Sequence, residues 1–177
     1  MSMLGIAFLN GIVNKEGITL PEVILNHLRT EVIRSLQQKV ENGKQIDGMD
    51  IALCVIDYEN MKLQFAGANN PIYIIRKSNG INLNSDDTKI LRDYSLYEIK
   101  GDRMPISIND SMDHFTQYEA DIYSGDMLYL FTDGFADQFG GEFRKKYYYH
   151  NFKKLLLDNC LKSMEEQQFS LEKELKD

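Results

Sequence analysis

The 177-residue chain is short of cysteine, of long apolar runs and of net positive charge, and each shortage excludes a class of protein. Its two cysteines, Cys54 and Cys160, share no CxxC spacing, so no disulfide framework is expected. Cys54 lies inside an apolar run and nothing resembles a secretory leader, which points to a reducing cytoplasm. Apolar runs such as Met127 to Phe131 fall far below the roughly 20 residues a membrane helix needs, and Asn10 and Asn14 interrupt the first helix candidate. No membrane-spanning segment is expected. Twenty Lys and Arg against 27 Asp and Glu leave a formal charge of −7, which argues against general affinity for nucleic acid. His27, His114 and His150 show no HxxxH spacing and have no cysteine nearby, so a zinc site is disfavoured. There is no GxSxG elbow, Walker loop or dinucleotide fingerprint, which disfavours serine hydrolases, nucleotide hydrolases and dehydrogenases.

What remains is a chain with 43% apolar residues, long enough to bury one core without staples. Apolar residues at helical spacing predict an uncapped helix over Ser2 to Val13. A second helix is expected from Thr19, whose hydroxyl and the Glu22 carboxylate suit a capping box with Pro21 in the first turn, to about Val40. Its stripe is Leu20, Ile24, Leu28, Val32 and Leu36, with Arg29, Glu31, Arg34 and Gln37 facing water. The continuously apolar Ile51 to Ile56 reads as a strand covered on both faces, hence central, and Met127 to Thr132 reads the same way. Met61, Leu63 and Phe65 alternate with Lys62 and Gln64, so a hairpin is expected across Asp57 to Asn60. Further strands are expected at Ile72 to Arg76, Leu96 to Ile99 and Phe115 to Tyr123, with a loop at Ser78 to Lys89 and helices from Tyr149 onward. Terminal helices around antiparallel hairpins predict an α+β layer architecture.

The segment Gly125-Asp126-Met127-Leu128-Tyr129-Leu130-Phe131-Thr132-Asp133-Gly134 ends a buried strand in a carboxylate followed by glycine. Such a rim carboxylate suits a hard cation, although Asp-Gly alone also makes ordinary turns. Other blocks arrive in order: Met1 to Asn10, Asp47-Gly48-Met49-Asp50-Ile51-Ala52-Leu53, Phe65-Ala66-Gly67-Ala68-Asn69-Asn70-Pro71, and Met104-Pro105-Ile106-Ser107-Ile108. Together they resemble the metal-dependent protein serine/threonine phosphatases of type 2C (PPM), specifically their bacterial SpoIIE/RsbU-like branch. Asn69 stands where that family commonly has histidine, and Ser107 where it has glycine.

The resemblance implies an α-β-β-α sandwich of two stacked antiparallel sheets flanked by helices, with residues 1–177 forming a single but incomplete domain. It implies a two-metal Mn²⁺ or Mg²⁺ centre that supplies an activated water for in-line attack on phosphoserine or phosphothreonine. Asp133 matches a metal-ligand position and is the expected catalytic residue, Gly134 supports its loop, and Asp137 falls where the family often has an acidic residue, serving either in solvation and hydrogen bonding behind the metal ligands or in catalysis. The family's other aspartate ligands would lie before Met1 and after Asp177, so the chain is expected to be a truncated, inactive piece of a phosphatase. The alternative is a non-catalytic phosphatase-like domain that binds a signalling partner. Expected partners are a phosphoprotein substrate of the anti-sigma-factor-antagonist type and a sensory domain in the intact protein. Strand edges left unpaired by truncation predict a homodimer or strand exchange. Turn-making and solvation account for Asp47, Asp50, Asp86, Asp87 and Asp102. The basic and aromatic run Arg144-Lys145-Lys146-Tyr147-Tyr148-Tyr149-His150, continued by Lys153 and Lys154, reads as a solvated lead-in to a helix or as a docking segment for a phosphoprotein.

Overall fold

The computed structural model describes residues 2–36, 48–78, 89–91, 93–109, 112–140 and 145–176. Asp47, Asp86, Asp87, Arg144, Gln37 and the expected helix end near Val40 lie outside the described residues. In chain order the elements are α1 (Ser2–Asn10), a π-helical turn (Gly11–Lys15), α2 (Pro21–Ser35), β1 (Ile51–Asp57), β2 (Lys62–Ala68), β3 (Ile72–Lys77), β4 (Lys89–Leu91), β5 (Tyr94–Ile99) and β6 (Tyr118–Asp121). There follow β7 (Met127–Leu130), α3 (Gly134–Asp137), β8 (Phe139–Gly140), β9 (Lys145–Lys146), α4 (Tyr148–Asn159) and α5 (Met164–Glu174). They form two compact units, Met1–Ile72 with Ile99–Tyr123 and Tyr73–Glu98 with Ser124–Asp177.

In the first unit β1, β2 and β6 form an antiparallel sheet in that order, with the expected β1–β2 hairpin in register Ile51 opposite Ala68 through Asp57 opposite Lys62. Asp57 makes its turn by accepting hydrogen bonds from the Glu59 and Asn60 backbone N–H groups, both at 3.0 Å. The alternating strand β2 is the central one, and Leu63, Phe65, Ala66 and Ala68 on it are buried. The apolar β1 is instead an edge, half-buried along Ile51 to Ile56, which corrects the expectation of a central strand. A continuous apolar run reports how its faces meet water but is blind to how many strands pair alongside.

Helix α2 packs Ile24, Leu25, Leu28 and Val32 into a core with Ile12, Ala66, Met104, Ile106 and Phe115. Leu20 and Leu36, the ends of the expected stripe, are exposed. The helix begins one residue later than a Thr19 cap requires: Leu20 is the N-cap, with no side-chain cap, and Pro21 takes the first helical position, where no donor is needed. Arg29, expected in water, is buried. Its guanidinium donates to the Asp113 carbonyl at 2.8 Å and to Asn26 Oδ1 at 3.1 Å, and lies 4.8 Å from the Phe115 ring centroid. Partners for its donors and an aromatic face offset the desolvation that pulls its pKa down.

In the same unit the chain crosses itself closely. Asp102 N donates to the Gly67 carbonyl and Asn69 N to the Asp102 carbonyl, each at 2.8 Å, a parallel bridge between Ala68 and Asp102. A Cβ on Gly67 would stand 2.3 Å from the Asn70 carbonyl oxygen, and one on Gly101 would stand 2.6 Å from it, so both positions demand glycine. Asn69 adopts φ 59°, a conformation asparagine tolerates, and donates through Nδ2 to Asp50 Oδ1 at 2.7 Å.

In the second unit the strand order is β4-β5-β3-β7. Strand β4 falls at the end of the expected loop and pairs antiparallel with β5, Lys89 opposite Leu96. Strand β7 is again an edge, half-buried with Leu130 exposed, which corrects the expectation of a second central strand. Tyr73, Ile75, Leu96, Phe152, Leu156, Leu157 and Cys160 form its core. Both cysteines are free thiols. Helix α5 carries a capping box between Ser163 and Glu166.

Candidate metal and phosphate site at the end of β7

Beyond β7 the chain passes through Phe131 and Thr132 to Asp133 and enters the single-turn helix α3. Aromatic packing fixes this turn from both sides. The Phe131 ring lies 5.0 Å from that of Phe152, nearly edge-on, and 4.5 Å from that of Tyr73. On the far side Phe135 lies 4.8 Å from Phe152 and 5.6 Å from Tyr147, while Ala136 is fully buried. Anchored by Phe131 and Phe135 on the same α4 residue, the turn holds what lies between them, Asp133 and Gly134, at the surface.

Asp133 occupies the N-cap position, yet its side chain makes no capping hydrogen bond, so its exposed carboxylate is not consumed by the helix it starts. Gly134 has an ordinary helical backbone, and a Cβ there would meet only Thr132 Oγ1 at 3.6 Å, so nothing in the fold itself requires glycine. Asp137 sits one helical turn on, its N–H donating to the Asp133 carbonyl at 2.9 Å. Its carboxylate is paired with Lys146 Nζ of β9 at 2.8 Å, and that hydrogen bond raises the lysine pKa. Tyr149, on the first turn of α4, feels both aspartates: burial raises its phenol pKa, and the charges of Asp137 and then Asp133 push it the same way. The structure thus brings Asp133, Gly134 and Asp137 together and adds Lys146 and Tyr149, whose proximity depends on β8 and β9 pairing and has no strong sequence signal.

Hard cations need several oxygen ligands. Among the described residues no group of three or more His, Cys, Asp and Glu is placed to hold a metal ion. The described residues therefore do not by themselves fit a two-metal centre, and Asp133 offers one carboxylate towards one. Asp50 is engaged with Asn69, and Asp102 accepts from Thr116 N at 2.7 Å and Thr116 Oγ1 at 2.9 Å, so both hold loops of the first unit in place. His27 lies at the helix surface, its Nδ1 3.7 Å from Glu16.

The family model described as Stage II sporulation protein E (SpoIIE) matches residues 1–169. No curated protein matches the chain. Among solved structures it is similar to the SiaA-PP2C domain of Pseudomonas aeruginosa, with 25% identity and a TM-score of 0.74 over 96% of this chain. The match covers 58% of that chain, so the present sequence spans a little over half its length. The mixed helices and antiparallel sheets, with this likeness, are an α+β fold of the PP2C type.

Proposed function

The chain belongs to the SpoIIE family of PP2C-type phosphatase domains, and from that premise we propose that it is part of one metal-dependent domain that hydrolyses phosphoserine or phosphothreonine in bacterial signalling. The observation that carries this reading is the Asp133 carboxylate, held at the surface by aromatic packing on both sides and left uncapped at the start of α3. Asp133 contributes one ligand to a Mn²⁺ or Mg²⁺ centre whose remaining carboxylates lie outside the described residues, and the Asp137 backbone N–H braces the turn through its hydrogen bond to the Asp133 carbonyl. Asp133 would help hold the metal, which would supply an activated water and charge neutralisation for the phosphoryl oxygens. Among the described residues no three-carboxylate group includes Asp133, which supports a ligand set completed by residues outside them.

The substrate is a phosphoprotein, of the anti-sigma-factor-antagonist type, and a sensory domain governs the site in the intact protein. A cytoplasmic setting suits its two free thiols; no helix among the described residues is long and apolar enough to cross a membrane. The half-buried edges of β1 and β7 support self-association through strand addition. The competing reading, a non-catalytic domain that binds a signalling partner, draws on the same lack of a complete ligand set.

A phosphatase assay on the natural gene product that contains this chain separates the two. Mn²⁺-dependent release of phosphate, abolished by Asp133→Asn, is expected; full activity in that variant ends the assignment of Asp133, and no activity in the wild type favours the binding domain. Calorimetric titration of residues 1–177 with Mn²⁺ is expected to give only weak binding.

A further inference from the structure

Helix α4 carries two neighbouring features, at Phe152 and Lys153, that the hydrolytic reading leaves without a role. The Phe152 side chain is buried, and both ends of the Asp133 turn rest on it: the Phe131 ring lies 5.0 Å away, nearly edge-on, and the Phe135 ring 4.8 Å away at 30°. Phe131 and Phe135 stand two residues before and two after Asp133, so a shift of Phe152 moves both ends of that segment together. Other rings serve one end each, Tyr73 pairing with Phe131 at 4.5 Å and Tyr147 with Phe135 at 5.6 Å. Phe152 is itself held. Its ring lies 6.4 Å from that of Tyr73, fully buried on β3, and the next residue, Lys153, donates from Nζ to Glu98 Oε2 of β5 at 2.8 Å. Those two side chains are only 13% and 12% exposed, and the ammonium lies 5.1 Å from the Tyr73 ring centroid. Breaking a nearly buried ion pair is costly, so the pair resists any roll of α4 about its own axis and keeps Phe152 pointing at the turn.

We propose that Phe152 is the positioning residue for the Asp133 carboxylate: α4 sets where the turn stands, and the Lys153–Glu98 pair sets the rotation of α4. That Asp133 serves hydrolysis rests on the phosphatase reading; that Phe152 holds its turn does not. The physical reason lies in the shortness of α3. A single helical turn is not stable by itself, and this one closes on the bond from Asp137 N to the Asp133 carbonyl at 2.9 Å. Its order is supplied by packing, and the packing that reaches both of its ends is the Phe152 ring. A carboxylate that must stand within a fraction of an ångström of its working position needs such a support.

The test is amide hydrogen exchange of the full 177-residue chain, read at the Asp137 amide, whose bond to the Asp133 carbonyl closes the turn. F152L keeps an apolar side chain and removes the ring; with two aromatic pairs lost, exchange at Asp137 is expected to run about tenfold faster. L96V, which trims the same core on β5, is expected to leave that exchange within about twofold of wild type. E98Q/K153M removes the ion pair without stranding either charge and is expected to act in the same direction as F152L; unchanged exchange there would overturn the part given to Lys153 and Glu98. If F152L does not fold by circular dichroism, F152M, whose flexible chain fills an irregular space, carries the same expectation. Exchange at Asp137 unchanged by loss of the ring, or quickened as much by L96V, would overturn the proposal. In the natural gene product that contains this chain, F152L is expected to lower kcat on a phosphoserine peptide about tenfold with KM within about twofold. An unchanged kcat in an enzyme that Asp133→Asn inactivates would also overturn it. An inactive wild type, or full activity of Asp133→Asn, fails the phosphatase reading instead, and the exchange result stands apart from it.

Discussion

Replacing Gly67 by alanine adds one methyl group at the point where the chain crosses itself. The new Cβ would lie 2.3 Å from the Asn70 carbonyl oxygen, 2.8 Å from Phe65 Cζ and 2.9 Å from Gly101 Cα. A carbon and a carbonyl oxygen approach to about 3.3 Å at their closest favourable contact, so the Asn70 carbonyl must move by about 1 Å within its own turn. Phe65 could swing its ring tip aside, but the Asn70 and Gly101 contacts are backbone. Rebuilding the Gly67 to Asn70 turn and displacing Gly101 breaks the geometry of the two 2.8 Å hydrogen bonds between Asp102 and the Gly67 to Asn69 segment. Two lost hydrogen bonds at about 1 kcal/mol each, with about 2 kcal/mol of overpacking, give a destabilisation of about 3–5 kcal/mol. In urea, with a slope of about 2 kcal/mol/M, the midpoint should fall by about 2 M. The chain has no tryptophan, so unfolding is followed by far-ultraviolet circular dichroism and tyrosine fluorescence. Gly11→Ala is the control: its Cβ meets nothing within 4 Å in an already helical turn, so stability should hold or rise by about 0.5 kcal/mol. A Gly67→Ala protein within about 1 kcal/mol of wild type would refute the close crossing.

Asp126 clasps Arg76 through Oδ1 at 3.0 Å and Oδ2 at 2.5 Å, the carboxylate side being 6% exposed and the arginine 24%. Asp126→Asn leaves a half-buried guanidinium with a neutral partner and should cost about 2–3 kcal/mol in the same urea titration, below the fully buried range because Arg76 keeps some water. Tyr129 donates its hydroxyl to Gln167 Oε1 at 2.8 Å, and burial pushes its pKa up to about 12. The unfolded chain ionises this phenol near pH 10, so its contribution is intact below that pH and is lost as pH rises towards 12. Tyr129→Phe should flatten the fall in melting temperature over that window. An unchanged alkaline slope would show that Tyr129 is not held neutral by the fold.

Some elements were legible because local chemistry and tertiary demand agree. The β1–β2 hairpin follows from the Asp57 turn and the alternation of Leu63 and Phe65, and both survive packing. Where packing overrides local preference, the sequence misleads. Arg29 reads as a solvated helix residue until the Asp113 carbonyl and the Phe115 ring, 84 and 86 positions away in the numbering, arrive to receive it. The Thr19 cap fails by one residue because Pro21 suits the first helical position better than any donor-bearing residue.

The ordered blocks ending in Asp133-Gly134 determine the family by themselves, since they are residue types at fixed places along the chain and need no coordinates. They also place the candidate carboxylate at a strand end. Only the tertiary structure decides that β1 and β7 are edges, because the number of neighbours a strand has is set by distant segments and leaves no mark on its own composition. It alone decides that Lys146 comes back to Asp137 and that Tyr149 stands near Asp133, through a short strand pair whose members are too brief to signal themselves. The scarce cysteines and negative charge bounded what the chain is; the return of β9 onto the Asp133 turn set what surrounds its candidate site.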